Sequence, residues 1–171
     1  MAKITLKGNP IHTSGSLPSL GSKAPEFKLV DRDLKDRALS EFKGKRKLIS
    51  IVPSLDTSVC STSAKKFNEK ASALPNTVIL VVSADLPFAQ ARLCGAEHLN
   101  NLVTLSLMRS KKFAEDYGVL IIDGPLAGLC ARAVIVLDEH DKIIYTELVP
   151  EIAEEPNYKK ALEAFFPKTK N

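Results

Sequence analysis

The stretch Leu48-Ile49-Ser50-Ile51-Val52, continuing as Pro53-Ser54-Leu55-Asp56-Thr57-Ser58-Val59-Cys60-Ser61-Thr62-Ser63, decides how the chain is read. The first five residues are an apolar run of strand length. After Ser63 the apolar residues Ala64, Phe67, Ala71 and Leu74 recur at helical spacing. A buried strand therefore hands over to a helix of about residues 58–72, with Cys60 in its first turn. Backbone N–H groups there lack intrahelical partners, and the helix dipole favours negative charge. A thiol so placed is favoured as a thiolate, the reactive form. The competing reading is a small buried hydrophobe, the usual state of a free cysteine. Position alone does not separate the two.

Working outward, the same alternation repeats. Residues 77–83, Thr-Val-Ile-Leu-Val-Val-Ser, read as a fully apolar strand. A helix follows over residues 87–97, with Pro87 in its first turn and Phe88, Ala91 and Gly95 on one face. Residues 102–107 read as a strand, and residues 111–117 as a short helix ended by Gly118. Residues 131–138 and 142–148 read as a hairpin joined by Glu139-His140-Asp141, and residues 157–166 as a closing helix with Tyr158, Ala161, Leu162 and Phe165 on one face. The tail, residues 168–171, is expected to fray. Towards the N-terminus, residues 3–7 and 11–13 around Gly8-Asn9-Pro10 read as a β-hairpin. Residues 15–25 are a connection, residues 27–30 a short strand ended by the charged turn 31–36, and residues 39–42 one helical turn. Strands alternating with helices predict an α/β chain, a mixed central sheet covered on both faces, with the hairpin (about residues 1–14) added. Neither repeats nor linker composition divide it, so residues 1–171 are expected to form one domain.

Composition narrows the function. At 171 residues, 44% hydrophobic and 26% charged, the chain has the make-up of a globular domain with a sizeable core. The net charge of +4 is modest, and the basic cluster Lys43-Gly44-Lys45-Arg46-Lys47 lacks the aromatic interleaving of single-strand binders. It reads as a solvated connection, and no nucleic-acid partner is expected. The first residues have no apolar signal-peptide core, and no stretch approaches the ~18 apolar residues of a membrane span. With only three cysteines there is no disulfide framework, so a cytoplasmic setting is expected. His12, His98 and His140 are far apart and form no ligand-spaced pair, so no metal is expected.

Three residues join Cys60 as candidates. Pro53 turns the chain off the strand and carries no competing N–H. Thr57 is one turn before Cys60; its hydroxyl reads as an N-cap, as a partner for the site, or as both. Arg132 is the single charge in residues 129–137, Leu-Cys-Ala-Arg-Ala-Val-Ile-Val-Leu. Either it marks the start of a strand and snorkels to water, or it is buried and needs a partner. If it converges with Cys60, thiolate and guanidinium explain each other. On its residues alone Cys94 is a cysteine on a helix and belongs to the core. Cys130 reads as a small buried residue, and Asp56 as a cap or surface carboxylate.

Pro53-x-x-x-Thr57-x-x-Cys60 resembles the active-site motif of peroxiredoxins. The longer pieces Thr57-Ser-Val-Cys-Ser-Thr-Ser63, Phe88-Ala-Gln-Ala-Arg-Leu-Cys94 and Ala131-Arg-Ala-Val134 resemble its thiol peroxidase branch, over essentially the whole chain. The resemblance implies a thioredoxin-like fold and a thiol peroxidase acting on hydrogen peroxide and organic hydroperoxides. Cys60 would be the peroxidatic cysteine, Thr57 its hydroxyl partner and Arg132 the arginine that stabilises the thiolate. Cys94 would be the resolving cysteine of an intrachain Cys60–Cys94 disulfide. Thioredoxin would be the reductant, the protein a homodimer, and no cofactor would be needed. Cys130 departs from the pattern, since two-cysteine chemistry does not use it. Two rivals remain: a monothiol disulfide exchanger, although Cys60-Ser61-Thr62-Ser63 lacks the second thiol of dithiol enzymes, and a non-enzymatic peroxide sensor.

Overall fold

Strand alternation sorts the core onto two faces of one sheet in the computed structural model, which describes residues 1–71 and 73–166. Ser72, the expected last residue of the Cys60 helix, and the tail at residues 168–171 lie outside the described residues. The sheet has seven strands. Three are parallel at its centre: β5 (Arg46–Ile51), β6 (Thr77–Ser83) and β7 (Leu102–Ser106). On one side β8 (Ala133–Leu137) runs antiparallel to β5, and β9 (Ile143–Leu148) to β8. On the other side β3 (Lys28–Val30) runs antiparallel to β7, and β4 (Asp36–Ala38) to β3. The expected mixed sheet is therefore present.

Ile49 and Ile51, Leu80 and Val82, and Ala133, Ile135 and Leu137 enter one core with Phe113 and Tyr117 of the α3 region (α3, Lys112–Asp116). The alternate residues Leu48, Ile79, Val81, Val134 and Val136 enter a second core. That core is closed by α1 (Ser58–Ala71), α2 (Pro87–Ala96) and α4 (Tyr158–Glu163) through Phe67, Cys94 and Ala161. Burial on both faces is what makes these strands read as continuous apolar runs.

The N-terminal hairpin pairs β1 (Lys3–Leu6) with β2 (Asn9–His12) as a separate two-stranded sheet. Its turn is shorter than the sequence suggested. Lys7 and Gly8 both have positive φ (50° and 83°), the geometry of a two-residue type I′ turn, so Asn9 and Pro10 belong to the strand. Gly118 is required for a different reason: its φ is 69°, and a Cβ there would stand 2.1 Å from the Ser16 carbonyl oxygen.

Two further expectations need correction. The charged turn 31–36 is shorter, because Asp31 Oδ1 accepts the N–H groups of Asp33 and Lys35 and closes it early. Asp36 then begins β4, a three-residue edge strand too short and too charged to show alternation. The basic cluster is not a solvated run to its end. Lys47 is fully buried and ion-paired with Asp141 in the β8–β9 turn, while the Arg46 guanidinium stacks on Phe165, 5.0 Å from the ring centroid. On α2, which the sequence left without a buried side, Pro87, Gln90 and Cys94 face the core while Phe88 and Gly95 point to solvent. No helix among the described residues is long and apolar enough to cross a membrane.

Candidate active site

β5 ends at Ile51, and Val52 N–H still bonds to the Val82 carbonyl before Pro53 turns the chain away. Thr57 then caps α1. Its Oγ1 accepts the Cys60 N–H at 3.3 Å and donates to the Ser54 carbonyl at 3.2 Å, so the capping reading holds in this state. Asp56 is exposed, as expected of a surface carboxylate. Cys60 is fully buried in the first turn of α1.

Arg132 does not snorkel. It is 3% exposed, and its Nη1 donates to Cys60 Sγ at 3.1 Å. It stands one residue before β8 rather than inside it. Its register is that of Val134 and Val136, whose side chains enter the core beneath α1. Nε donates to the Ile152 carbonyl at 2.9 Å, which fixes the plane of the guanidinium. A permanent cation is thus held in a fixed plane with one of its donors on the sulfur.

The strip that follows β9 carries an acidic group that sequence reasoning missed. Glu155 accepts the Tyr158 hydroxyl at 2.8 Å and Lys66 Nζ at 3.1 Å. Those bonds, with smaller help from the Arg132 charge, hold its carboxyl below the usual range. Glu151 supports the same wall. It accepts N–H bonds from Gly8 and Ala153 at 2.8 and 2.9 Å, and with them its carboxyl is pulled down to about 2. Ile152 N–H bonds to the Thr5 carbonyl, so the hairpin is stitched to the strip that orients Arg132. None of this was readable from spacing, because the 150–155 strip has neither strand nor helix periodicity.

Pro53, Thr57, Val59 and Arg132 line a cleft of about 290 Å³. Its other walls are mostly apolar: Leu6 from the hairpin, Leu126 and Leu129 from the loop after α3, and Ile152. The sulfur of Cys60 lies behind this lining, on Arg132.

Cys94, on α2, shares the α1 core with Cys60; it is 4% exposed, and burial pushes its thiol up despite the charge of Arg32. Cys130 belongs to the opposite core. Burial pushes that thiol up to about 12, only partly offset by the Lys111 charge. Iodoacetamide at neutral pH is therefore expected to leave Cys130 unmodified in the folded protein and to alkylate it in urea. Native-state modification would show instead that this core opens. All three cysteines are free. Among the described residues, no group of three or more His, Cys, Asp or Glu could hold a metal ion.

Known proteins resemble this chain in sequence and in fold. The Redoxin family model matches residues 19–162. A thiol peroxidase of Leptospira interrogans (serogroup Icterohaemorrhagiae, serovar copenhageni) is 52% identical over 166 residues, covering 96% of this chain and 97% of that protein. The crystal structure of a peroxiredoxin-like protein from Aquifex aeolicus superposes with a TM-score of 0.91 at 41% identity, covering 96% of each chain. A thiol peroxidase from Chromobacterium violaceum gives 0.88 at 26% identity, covering 94% of this chain and 93% of that one. With the motif residues gathered at one cleft and these likenesses along nearly its full length, the chain belongs to the Redoxin family, among its thiol peroxidases.

Proposed function

We propose that this protein reduces hydroperoxides through Cys60, resolves the product with Cys94 and is recycled by a dithiol protein of the thioredoxin kind. The observation that carries the reading is the 3.1 Å contact of Arg132 Nη1 with Cys60 Sγ behind an open cleft. The Cys60 thiolate attacks the terminal oxygen of the peroxide. An S–O bond forms as the O–O bond breaks, the alkoxide or hydroxide leaves, and a proton converts it to alcohol or water. Cys60 is left as a sulfenic acid. Arg132 has an N–H group free to donate to the peroxide as charge develops on the leaving oxygen. Thr57 is proposed to turn its hydroxyl from the Ser54 carbonyl to the peroxide, donating and accepting at once.

Cys94 then condenses with the sulfenic acid, releasing water and forming the disulfide. Bridging needs Cα atoms within about 7 Å. Both cysteines are buried and each sits in a helix, so α1 or α2 opens locally in this step. Opening also exposes the Cys94 thiol, which burial otherwise keeps protonated. The reductant attacks the disulfide through a mixed disulfide and returns both thiols. A homodimer is proposed on the resemblance alone.

The apolar walls favour hydroperoxides with a hydrocarbon group over hydrogen peroxide, since each buried methylene contributes about 0.8 kcal/mol. In a coupled assay with thioredoxin, its reductase and NADPH, kcat/KM for cumene hydroperoxide is expected to exceed that for hydrogen peroxide by about tenfold or more. Equal values would remove the cleft from substrate selection. Oxidation that consumes one equivalent of peroxide and stops, despite excess reductant, would point to a sensor rather than an enzyme.

A further inference from the structure

The two cysteine helices leave the ends of neighbouring parallel strands, and one carboxylate joins the connections that lead into them. Asp85 lies between β6 and α2. Its Oδ1 accepts the Ser54 hydroxyl at 2.7 Å, and its Oδ2 accepts the Leu55 N–H at 2.7 Å. Oδ2 also accepts the Ser83 hydroxyl at 2.7 Å, and Ser106 Oγ donates to the Asp85 carbonyl at 2.6 Å. The network continues into α2. Gln90 is fully buried, and its Nε2 donates to Ser83 Oγ and to the Leu105 carbonyl, both at 3.0 Å. Its Oε1 has no partner. A buried amide oxygen left unpaired is costly, so what Gln90 contributes lies in the two bonds that pin the first turns of α2 to β6 and β7. Leu55 is the last residue before Cys60 that bonds to Asp85 itself, with Asp56 and Thr57 held only through Ser54, and Gln90 is the last residue of the network before Cys94.

We propose that Asp85 is a positioning residue for the resolving step, the fixed point from which both cysteine segments open. The proposal rests on the Cys60–Cys94 reading above. In that step the Cys94 sulfur attacks the sulfenic sulfur of Cys60. The S–S bond forms, the S–O bond breaks, and the departing hydroxide takes the Cys94 proton to leave as water; no outside oxidant or reductant enters. Two helices that opened from unfixed bases would spread their sulfurs over a large volume, and closing longer loops costs more entropy. With Asp85 and Gln90 in place, the freed stretches are confined to residues 56–60 and 91–94.

Asp85→Ala removes both carboxylate oxygens, so the Ser54 hydroxyl and the Leu55 N–H both lose their acceptor. The test uses the full-length protein and one equivalent of cumene hydroperoxide, with stopped-flow observation, dimedone trapping and mass spectrometry. Disulfide formation is expected to slow by about tenfold or more, whereas Cys60 oxidation slows by less than about threefold. Dimedone-trapped Cys60 then persists, and sulfinic acid accumulates at lower peroxide than in the parent. Ser54→Ala, which keeps the Leu55 contact, is expected to slow the same step by a smaller factor and serves if Asp85→Ala does not fold. Equal slowing of both steps, or no change in either, would overturn the role of Asp85 alone. A parent protein that forms no Cys60–Cys94 disulfide would overturn the reading beneath it, and the proposal with it.

Discussion

Replacing Arg132 by Met is expected to slow oxidation of Cys60 by about 10²–10³-fold, the usual cost of removing one preorganised donor from a site of developing charge. The side chain does two things that Met cannot. It places a permanent cation 3.1 Å from Cys60 Sγ, and it keeps further N–H groups for the incoming peroxide. Met fills much of the same volume, and it removes a buried charge rather than stranding one. The Ile152 carbonyl loses its partner, a cost of ~1–3 kcal/mol that the domain should survive. The variant should therefore fold, by circular dichroism, and alkylate more slowly at Cys60 with iodoacetamide. A folded variant oxidised within threefold of the parent would show that the contact is incidental.

Replacing Cys94 by Ser is expected to divide the reaction. The first peroxide equivalent is consumed at close to the parent rate, because Cys60, Thr57 and Arg132 are untouched. Turnover with thioredoxin then falls by about 10²-fold or more, since Cys60 sulfenic acid has no intramolecular thiol to condense with. Dimedone should trap it, and further peroxide should carry it to sulfinic acid. A hydroxyl at this buried position costs ~1–3 kcal/mol if unpaired; Cys94→Ala avoids that cost and is expected to give the same kinetics. Undiminished recycling in either variant would take the resolving role from Cys94.

Much of this was legible in the chain because the signals were local. The run from Leu48 to Val52 and the spacing of Ala64 and Phe67 placed Cys60 on α1, and Pro87 placed the start of α2. Arg132 declared itself as one charge among apolar neighbours, and strand parity with Val134 sends it towards Cys60. What stayed hidden is tertiary. Asp85 looks like an ordinary turn residue after a strand, and only the crossing from β5 to β6 brings Ser54 and Leu55 onto it. Lys47 reads as the end of a basic surface run until the β8–β9 turn delivers Asp141. The buried side of α2 stayed hidden too, because Phe88 is apolar yet 64% exposed, while polar Gln90 is buried. The cleft walls Leu6, Leu126 and Ile152 come from segments far apart in sequence, so the apolar lining appears only once the fold is assembled.

Mapping the disulfide after one turnover tests the central claim most directly. The reduced protein is treated with one equivalent of cumene hydroperoxide, quenched in acid with a thiol-blocking reagent, digested and read by mass spectrometry. The expected product is a monomeric chain in which the peptides of Cys60 and Cys94 are joined and Cys130 carries the blocking group. A Cys130 disulfide, a link between two chains, or Cys94 blocked while Cys60 remains a sulfenic acid would contradict the account.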